Sequence, residues 1–465
     1  MRRATLLSLL LTPGLASAGS AQTLDLTAHP VGTAALAIFV LAYLAVVAEE
    51  FTKLRKSKPV ILAAGVIWAL IGAVYTTRGI SDSAATALRH NLLEYAELLL
   101  FLLAAMTYIN AMEERHVFEA LRGWLVRRNF SYRALFWVTG ALAFFISPVA
   151  DNLTTALIMC AVLLAVGGHS HRFVTLGCIN IVVAANAGGA FSPFGDITTL
   201  MVWQRGKVEF WTFFTLFLPA IVNYVVPAAL MSFAVPTGTP HAVTDRAHMK
   251  RGGRVIIALF LLTIATTVAL HNFLHLPPFL GMMTGLAYLQ VFGFYLKVTQ
   301  HREHRPINGT NEEDIGNVVA FDIFRPIARA EWDTLLFFYG VILCVGGLAF
   351  IGYLGGLSTV LYEQWGATSA NVLIGALSAV VDNIPLMFAV LTMDPDMSVG
   401  QWLLVTLTAG VGGSLLSIGS AAGVALMGQS RGLYTFFGHL KWTPAIALGY
   451  ALSILTHLWV NADLL

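Results

Sequence analysis

The sequence predicts an all-α polytopic membrane protein built from two inverted-topology repeats, each with a re-entrant helical hairpin and a broken transmembrane helix. Three observations predict it: a succession of long apolar runs, basic residues gathered in the stretches between them, and a polar motif that occurs twice inside apolar surroundings. Hydrophobic residues make up 57% of the chain and charged residues only 11%, with a mean hydropathy of +0.75. A soluble domain carries roughly 25% charged residues, so most soluble enzyme classes are excluded. The net charge of +2 is nearly neutral. Each basic run lies beside an apolar span, where membrane orientation accounts for it without a nucleic-acid partner.

The chain opens with Met1-Arg2-Arg3, the apolar run from Leu6 to Leu11 and Ala16-Ser17-Ala18. A charged start, a short apolar core and small residues make a signal peptide over residues 1–18, the alternative being an uncleaved short anchor. Because about 20 apolar residues cross a bilayer, the runs 31–51, 59–77 and 91–112 read as single crossings. The run 133–167 is too long for one crossing and carries Asp151-Asn152 at its middle, so it reads as a hairpin returning to the side it entered from. Next comes 173–203, a helix broken at Gly188-Gly189, and the crossing 210–235 closes a first repeat over 31–235.

A cytoplasmic loop over 236–254 leads to the second repeat, 255–465. Its crossings are 255–271, 279–296 and 333–353, with a second cytoplasmic loop at 297–331. The hairpin 368–393 is interrupted at Asp382-Asn383, the broken helix 401–428 at Gly412-Gly413, and 443–461 is the last crossing. Basic residues favour cytoplasmic loops. Counting both hairpins as returns puts Lys53, Arg55, Lys56, Lys58, the arginines from Arg115 to Arg133, Arg172, Lys250 and its neighbours, Lys297 through Arg329, Arg431 and Lys441 inside. Only Arg78, Arg89, Arg205 and Lys207 fall outside. The N-terminus of the mature chain and its C-terminus are then both external.

The repeat is legible in detail. Ser147-Pro148-Val149-Ala150-Asp151-Asn152-Leu153 reappears as Ser378-Ala379-Val380-Val381-Asp382-Asn383-Ile384. Downstream of each stands a glycine-rich break, Gly188-Gly189 with Gly195-Asp196 and Gly412-Gly413 with Gly419-Ser420. Unwound backbone is tolerated at membrane depth only where it is buried in protein or lines a wet cavity, and paired broken helices meeting near the midplane are the build of many secondary transporters.

An ionised carboxylate at the membrane centre costs roughly 2.5–3.5 kcal/mol on insertion scales, which makes Asp151, Asp196 and Asp382 functional candidates; the competing role is helix capping. Neutral oxygen donors stand beside them: Ser147, Asn152, Thr154 and Thr155 at the first tip, Asn186, Ser192, Thr198 and Thr199 around the first break, and Ser378, Asn383, Ser414, Ser417 and Ser420 in the second half. Such hard oxygen ligands suit a small alkali cation, whereas a transition metal would call for His or Cys. A carboxylate out of water is stable either protonated or paired with a cation. One site that takes Na+ or H+ but not both gives obligatory exchange when only loaded forms cross. Asp151 and Asp196 are the expected competitive carboxylates, with Asn152, Asn186, Thr198 and Thr199 completing the Na+ shell.

Glu94 and Glu97 share a helix face near its external end and are a possible proton path, or simply acids reaching the interface. Cys160, Cys178 and Cys344 lie in apolar segments without ligand spacing, so no zinc site, disulfide framework or cofactor is expected.

At these motifs the chain resembles the NhaD-type sodium/proton antiporters of the ion transporter superfamily, from Ser147 through Thr155, from Asn186 through Thr199, and at Asp382-Asn383-Ile384-Pro385. The resemblance implies a carrier of the bacterial inner membrane, associated with lipid and expected to be a homodimer. It exports Na+, and often Li+, in exchange for H+, serving pH homeostasis and salt tolerance. The family's functional positions correspond to Ser147, Asp151, Asn152, Asn186, Asp196, Thr198, Thr199, Ser378, Asn383, Ser417 and Ser420. Related symporters carry Ser-Asn-Thr rather than Asp-Asn at the hairpin tips, and an acidic tip disfavours an anionic substrate. The alternatives are a sodium-coupled dicarboxylate symporter, which would want a cationic pocket, and an intramembrane aspartyl protease, whose Tyr-Asp and Gly-x-Gly-Asp patterns are not matched by Ala150-Asp151 or Gly195-Asp196. A passive channel would call for a pore ring.

Overall fold

The computed structural model describes residues 23–128, 130–167, 170–239, 249–300 and 324–465, which are helical without any strand. The expected leader at 1–18 and much of the two expected cytoplasmic loops lie outside them. Among the described residues, ten helices are long and apolar enough to cross a membrane. They are not the ten expected crossings one for one. Tyr132–Ala150, an arm of the first expected hairpin, is among them, whereas Val399–Gly412 is a shorter apolar helix.

Two departures from the expected boundaries concern single runs. The helix expected over 91–112 spans Ser81–Glu114, because Ser81 through Asn91 contains no glycine or proline to stop it and Ile80 turns into it from a non-helical conformation. Arg89 and His90 are therefore helical rather than in a loop. The run 210–235 begins as a 3-10 turn over Phe210–Leu216 and becomes an α-helix at Phe217–Ser232.

The polar interruptions fall at helix ends. Tyr132–Ala150 and Asn152–Gly167 meet at Asp151, and Ala367–Leu377 and Asn383–Met393 flank Asp382. His171–Gly189 stops at the first glycine pair and resumes as Ile197–Gln204; Val399–Gly412 stops at the second and resumes as Ala421–Gln429. Asp151 adopts φ 56° and ψ 161°, a sparsely populated conformation that costs about 1–3 kcal/mol, so the chain reverses there by a fixed backbone kink.

The two halves repeat their internal contacts. Ser147 Oγ donates to the Ala185 carbonyl at 2.6 Å, and Ser378 Oγ donates to the Ala409 carbonyl at 2.8 Å, in each case one turn before a glycine pair. Next to these bonds a side chain at Gly188 would run into the Phe144 carbonyl, and one at Gly412 into the Gly375 carbonyl. Only glycine lets the backbones approach this closely. The second arm of each tip crosses to the other half: Asn152–Gly167 packs on Ala421–Gln429, and Asn383–Met393 packs on Ile197–Gln204.

Contacts between helix ends sort into two sets. In one, the Leu24 N–H donates to Tyr75 Oη, the Leu26 N–H to the Ile351 carbonyl and Lys207 pairs with Asp394. In the other, the Tyr132 N–H donates to the Gly238 carbonyl and the Lys250 N–H to the Arg115 carbonyl, Thr175 Oγ1 to the Leu433 carbonyl and Asn110 Nδ2 to the Pro326 carbonyl.

Candidate functional site

The helix Ile197–Gln204 begins where the first break ends, and Asp196 is its N-cap. A carboxylate at an N-cap accepts from the free N–H groups of the first turn; here Oδ1 accepts from the Thr198 N–H at 2.9 Å and from Thr198 Oγ1 at 3.0 Å. Oδ2 accepts from Asn152 Nδ2 at 2.6 Å and from Asn383 Nδ2 at 3.1 Å. Asp196 is 4% exposed, so one buried carboxylate joins the first tip, the first break and the second tip.

From there the polar contacts run on into the second break. Asn152 Nδ2 also reaches Asn186 Oδ1 at 3.1 Å, and Asn186 Nδ2 donates to Ser414 Oγ at 2.8 Å and Ser420 Oγ at 3.1 Å. Ser420 is the N-cap of Ala421–Gln429, the counterpart of Asp196, and accepts from the Gly423 N–H at 3.2 Å. Where the first half has a charged cap, the second has a neutral one.

Asp151 spends its carboxylate locally, accepting from the Thr154 N–H at 2.8 Å and from Thr154 Oγ1 at 2.8 Å. Its side chain still faces a cavity of about 50 Å3 lined also by Asn152, Asp196, Asp382, Asn383 and Lys56. Two wider cavities lie beside it. One of about 350 Å3 is lined by Glu113, Glu119, Arg122, Thr154 and Arg329 among others; one of about 220 Å3 by Tyr43, Glu49, Lys56, Asp382 and Ser420. Leu153, Leu157 and Glu331 border both.

The remaining expected residues divide. Ser147 and Ser378 donate their hydroxyls to helix carbonyls, as described, and Thr199 Oγ1 does the same toward Ser192 and Asp196 carbonyls at 2.8 and 2.6 Å. Thr155 and Ser417 are fully buried with their hydroxyl oxygens unpartnered. Glu94 is drawn to the end of Ile197–Gln204, pairing with Arg205 at 2.7 Å and His90 at 3.0 Å, while Glu97 lies half-buried one turn further along the same helix. Cys160 and Cys178 are buried free thiols. Among the described residues no group of three His, Cys, Asp or Glu could hold a metal ion.

Two participants escape sequence reasoning. Lys56, expected to be an orientation-setting base in a cytoplasmic loop, turns inward onto the cavity wall with its ammonium 3.4 Å from Asp382 Oδ2; the core is thus not free of basic side chains, because a long lysine stem reaches a site far from it in sequence. His439 is fully buried, its Nε2 2.8 Å from the Ser414 carbonyl and its Nδ1 2.7 Å from Tyr434 Oη, bracing the second break. Neither had a local signal: one lies in a basic run, the other in an aromatic stretch.

Comparison with known proteins adds an independent line. A family profile described as "Citrate transporter" matches residues 27–410. The chain is 62% identical to a Na(+)/H(+) antiporter NhaD of Alkalimonas amylolytica over 96% of this chain and 94% of that protein. It is 61% identical to the Na(+)/H(+) antiporter NhaD of Vibrio cholerae over 99% of this chain and 98% of that protein. Sodium/proton antiporter 1 of Arabidopsis thaliana is 30% identical over 91% of this chain and 72% of its own length.

Proposed function

Since the chain belongs to the NhaD-type sodium/proton antiporters, we propose that Asp196, with Asp151 beside it, is the point where Na+ and H+ compete in its exchange cycle. The chain is a secondary active Na+/H+ antiporter and not an enzyme, a multi-pass protein of the bacterial inner membrane. The single observation that carries the site assignment is the convergence of Asn152, Thr198 and Asn383 on one buried carboxylate.

In the arrangement described, amide and hydroxyl hydrogens occupy Asp196. Binding of Na+ replaces the Asn152 and Thr198 hydrogens with the ion while Asn383 keeps its bond to the carboxylate: Asn152 and Asn186 turn their carbonyl oxygens inward, Thr198 and Thr199 offer lone pairs, and Asp151 and Asp196 supply charge. A proton on Asp196 removes that charge, so the ion leaves. Because the carboxylate holds either the proton or the ion, transport in one direction requires return of the other. Li+, smaller with the same charge and the same preference for hard oxygen, is carried by the same shell.

The architecture we attach to this cycle is two repeats, over 31–235 and 255–465, in opposite orientation, with hairpins at 133–167 and 368–393 that return to their side of entry. The matched bonds of Ser147 and Ser378 support it, as does the reciprocal packing of each second arm on the opposite broken helix. Alternating access is then a shift of the tips and broken helices against the remaining helices. The two sets of helix-end contacts support an external N-terminus of the mature chain and an external C-terminus, since each joins ends that the loop charges put on one side. The homodimer is part of the same proposal.

The profile description raises transport of an anion, citrate. Three carboxylates facing a single Lys56 in about 50 Å3 favour a small cation instead. Fluorescence dequenching in inverted vesicles tests the proposal: Na+ and Li+, but not succinate, should drive proton movement, and Asp151→Asn or Asp196→Asn vesicles responding like wild type would overturn it.

A further inference from the structure

The two tips carry the same Asp-Asn pair yet treat the aspartate differently, and the cause lies three residues on. At the first tip Thr154 supplies the N–H and hydroxyl that hold Asp151. The corresponding residue of the second tip is Pro385, which has no N–H to give, and Asp382 makes no side-chain capping bond although it is the N-cap of Asn383–Met393. Its carboxylate points instead at Lys56, 3.4 Å from Oδ2, while Oδ1 is buried without a partner. The ammonium is held from another direction by the face of Phe337, 4.5 Å from the ring centre, a cation–π contact that strengthens where water is excluded. Both side chains are about five-sixths buried, at 16% and 14% exposure. Lys56 and Asp382 line both the small cavity and the wider one of about 220 Å3.

An ionised aspartate at membrane depth needs a partner, and at the second tip the chain brings its own. We propose that the Lys56 ammonium is a tethered cation filling the place at Asp382 that would otherwise take a second alkali ion, so that Lys56 sets the number of Na+ ions bound. The proposal rests on the reading of Asp196 as the transported ion's carboxylate. It explains why a duplicated pair of acidic tips serves one exchange site: the Thr154 position leaves the first tip's acid capped beside the cavity, and Pro385 together with Lys56 neutralises the second.

The test is equilibrium binding of 22Na+ to the purified full chain. Lys56→Gln should bind one saturable Na+ per chain more than wild type, Lys56→Arg the wild-type number, and the double variant Lys56→Gln/Asp382→Asn the wild-type number again. A Lys56→Gln protein that elutes as wild type but gains no Na+, or a double variant that keeps the extra ion, overturns the proposal. Where the single variant does not fold, the double variant decides: fewer ions than wild type would make Asp382 a ligand and sink the idea. Asp196→Asn separates the two readings, because retention of all Na+ binding there defeats the site assignment, whereas the difference between Lys56→Gln and wild type is read independently of it.

Discussion

Asn383 donates its side-chain amide to the Asp196 carboxylate at 3.1 Å across 187 positions of sequence, so residues of the two halves meet on one oxygen pair. A hydrogen bond to a charged group contributes about 1.5–3 kcal/mol. Asn383→Ala should therefore favour the protonated over the ionised form of Asp196 and raise the apparent KM for Na+ by about tenfold or more, since 1.4 kcal/mol is a factor of ten. The measurement is the Na+ dependence of dequenching at fixed pH, with an unchanged KM counting against the bond.

Competition on one carboxylate has a kinetic signature. As pH falls, protons occupy Asp196 and the apparent KM for Na+ should rise while the maximal rate at saturating Na+ stays level near the working pH. Proton inhibition that lowers the maximal rate and leaves KM alone would mean separate sites for the two ions.

Ser147 and Ser378 hold each first arm against a broken helix by donating to its carbonyls. Replacing either with Ala deletes one buried hydrogen bond and leaves a carbonyl short of a donor, a cost of about 1–3 kcal/mol. Both variants should lose thermal stability in detergent by similar amounts while the surviving carriers keep the wild-type Li+ to Na+ preference. A changed preference would assign these hydroxyls to the ion shell.

Gly188→Ala forces a methyl group against the Phe144 carbonyl, and overpacking of this kind costs about 1–3 kcal/mol. Gly428 lies in a helix with nothing within 4 Å of where a side chain would go. Gly428→Ala should be neutral or stabilising by up to about 1 kcal/mol, and thermal unfolding followed by size-exclusion fluorescence separates the two.

Glu94 and Arg205 form a partly exposed pair, at 20% and 37% side-chain exposure, and such pairs contribute about 0.2–1 kcal/mol. A double-mutant cycle with Glu94→Gln and Arg205→Gln should return a coupling in that range and exchange should persist. Abolished exchange in Glu94→Gln alone would restore the proton-path reading.

The tips and breaks were legible because a charge or a glycine pair is conspicuous in an apolar run: Asp151, Asp382, Gly188 and Gly412 stand at the helix ends where the sequence places them. That Asp196 gathers donors from both halves was not legible, since spacing along the chain carries no record of which buried surfaces meet. Lys56 shows the same limit. Its charge is visible in the sequence, but the direction of its stem depends on Phe337 and Asp382, both remote from it. The early start of Ser81–Glu114 was missed because charged and polar residues continue a helix as readily as apolar ones when no breaker intervenes.

The Asn383 bond also orders events during synthesis. Asp196 leaves the ribosome 187 residues ahead of its partner, and Ser414 and Ser420 follow later still. A nascent chain halted between the two halves carries a carboxylate lacking half of its side-chain amide donors. The donor set around Asp196 is therefore complete only after translation of the second tip.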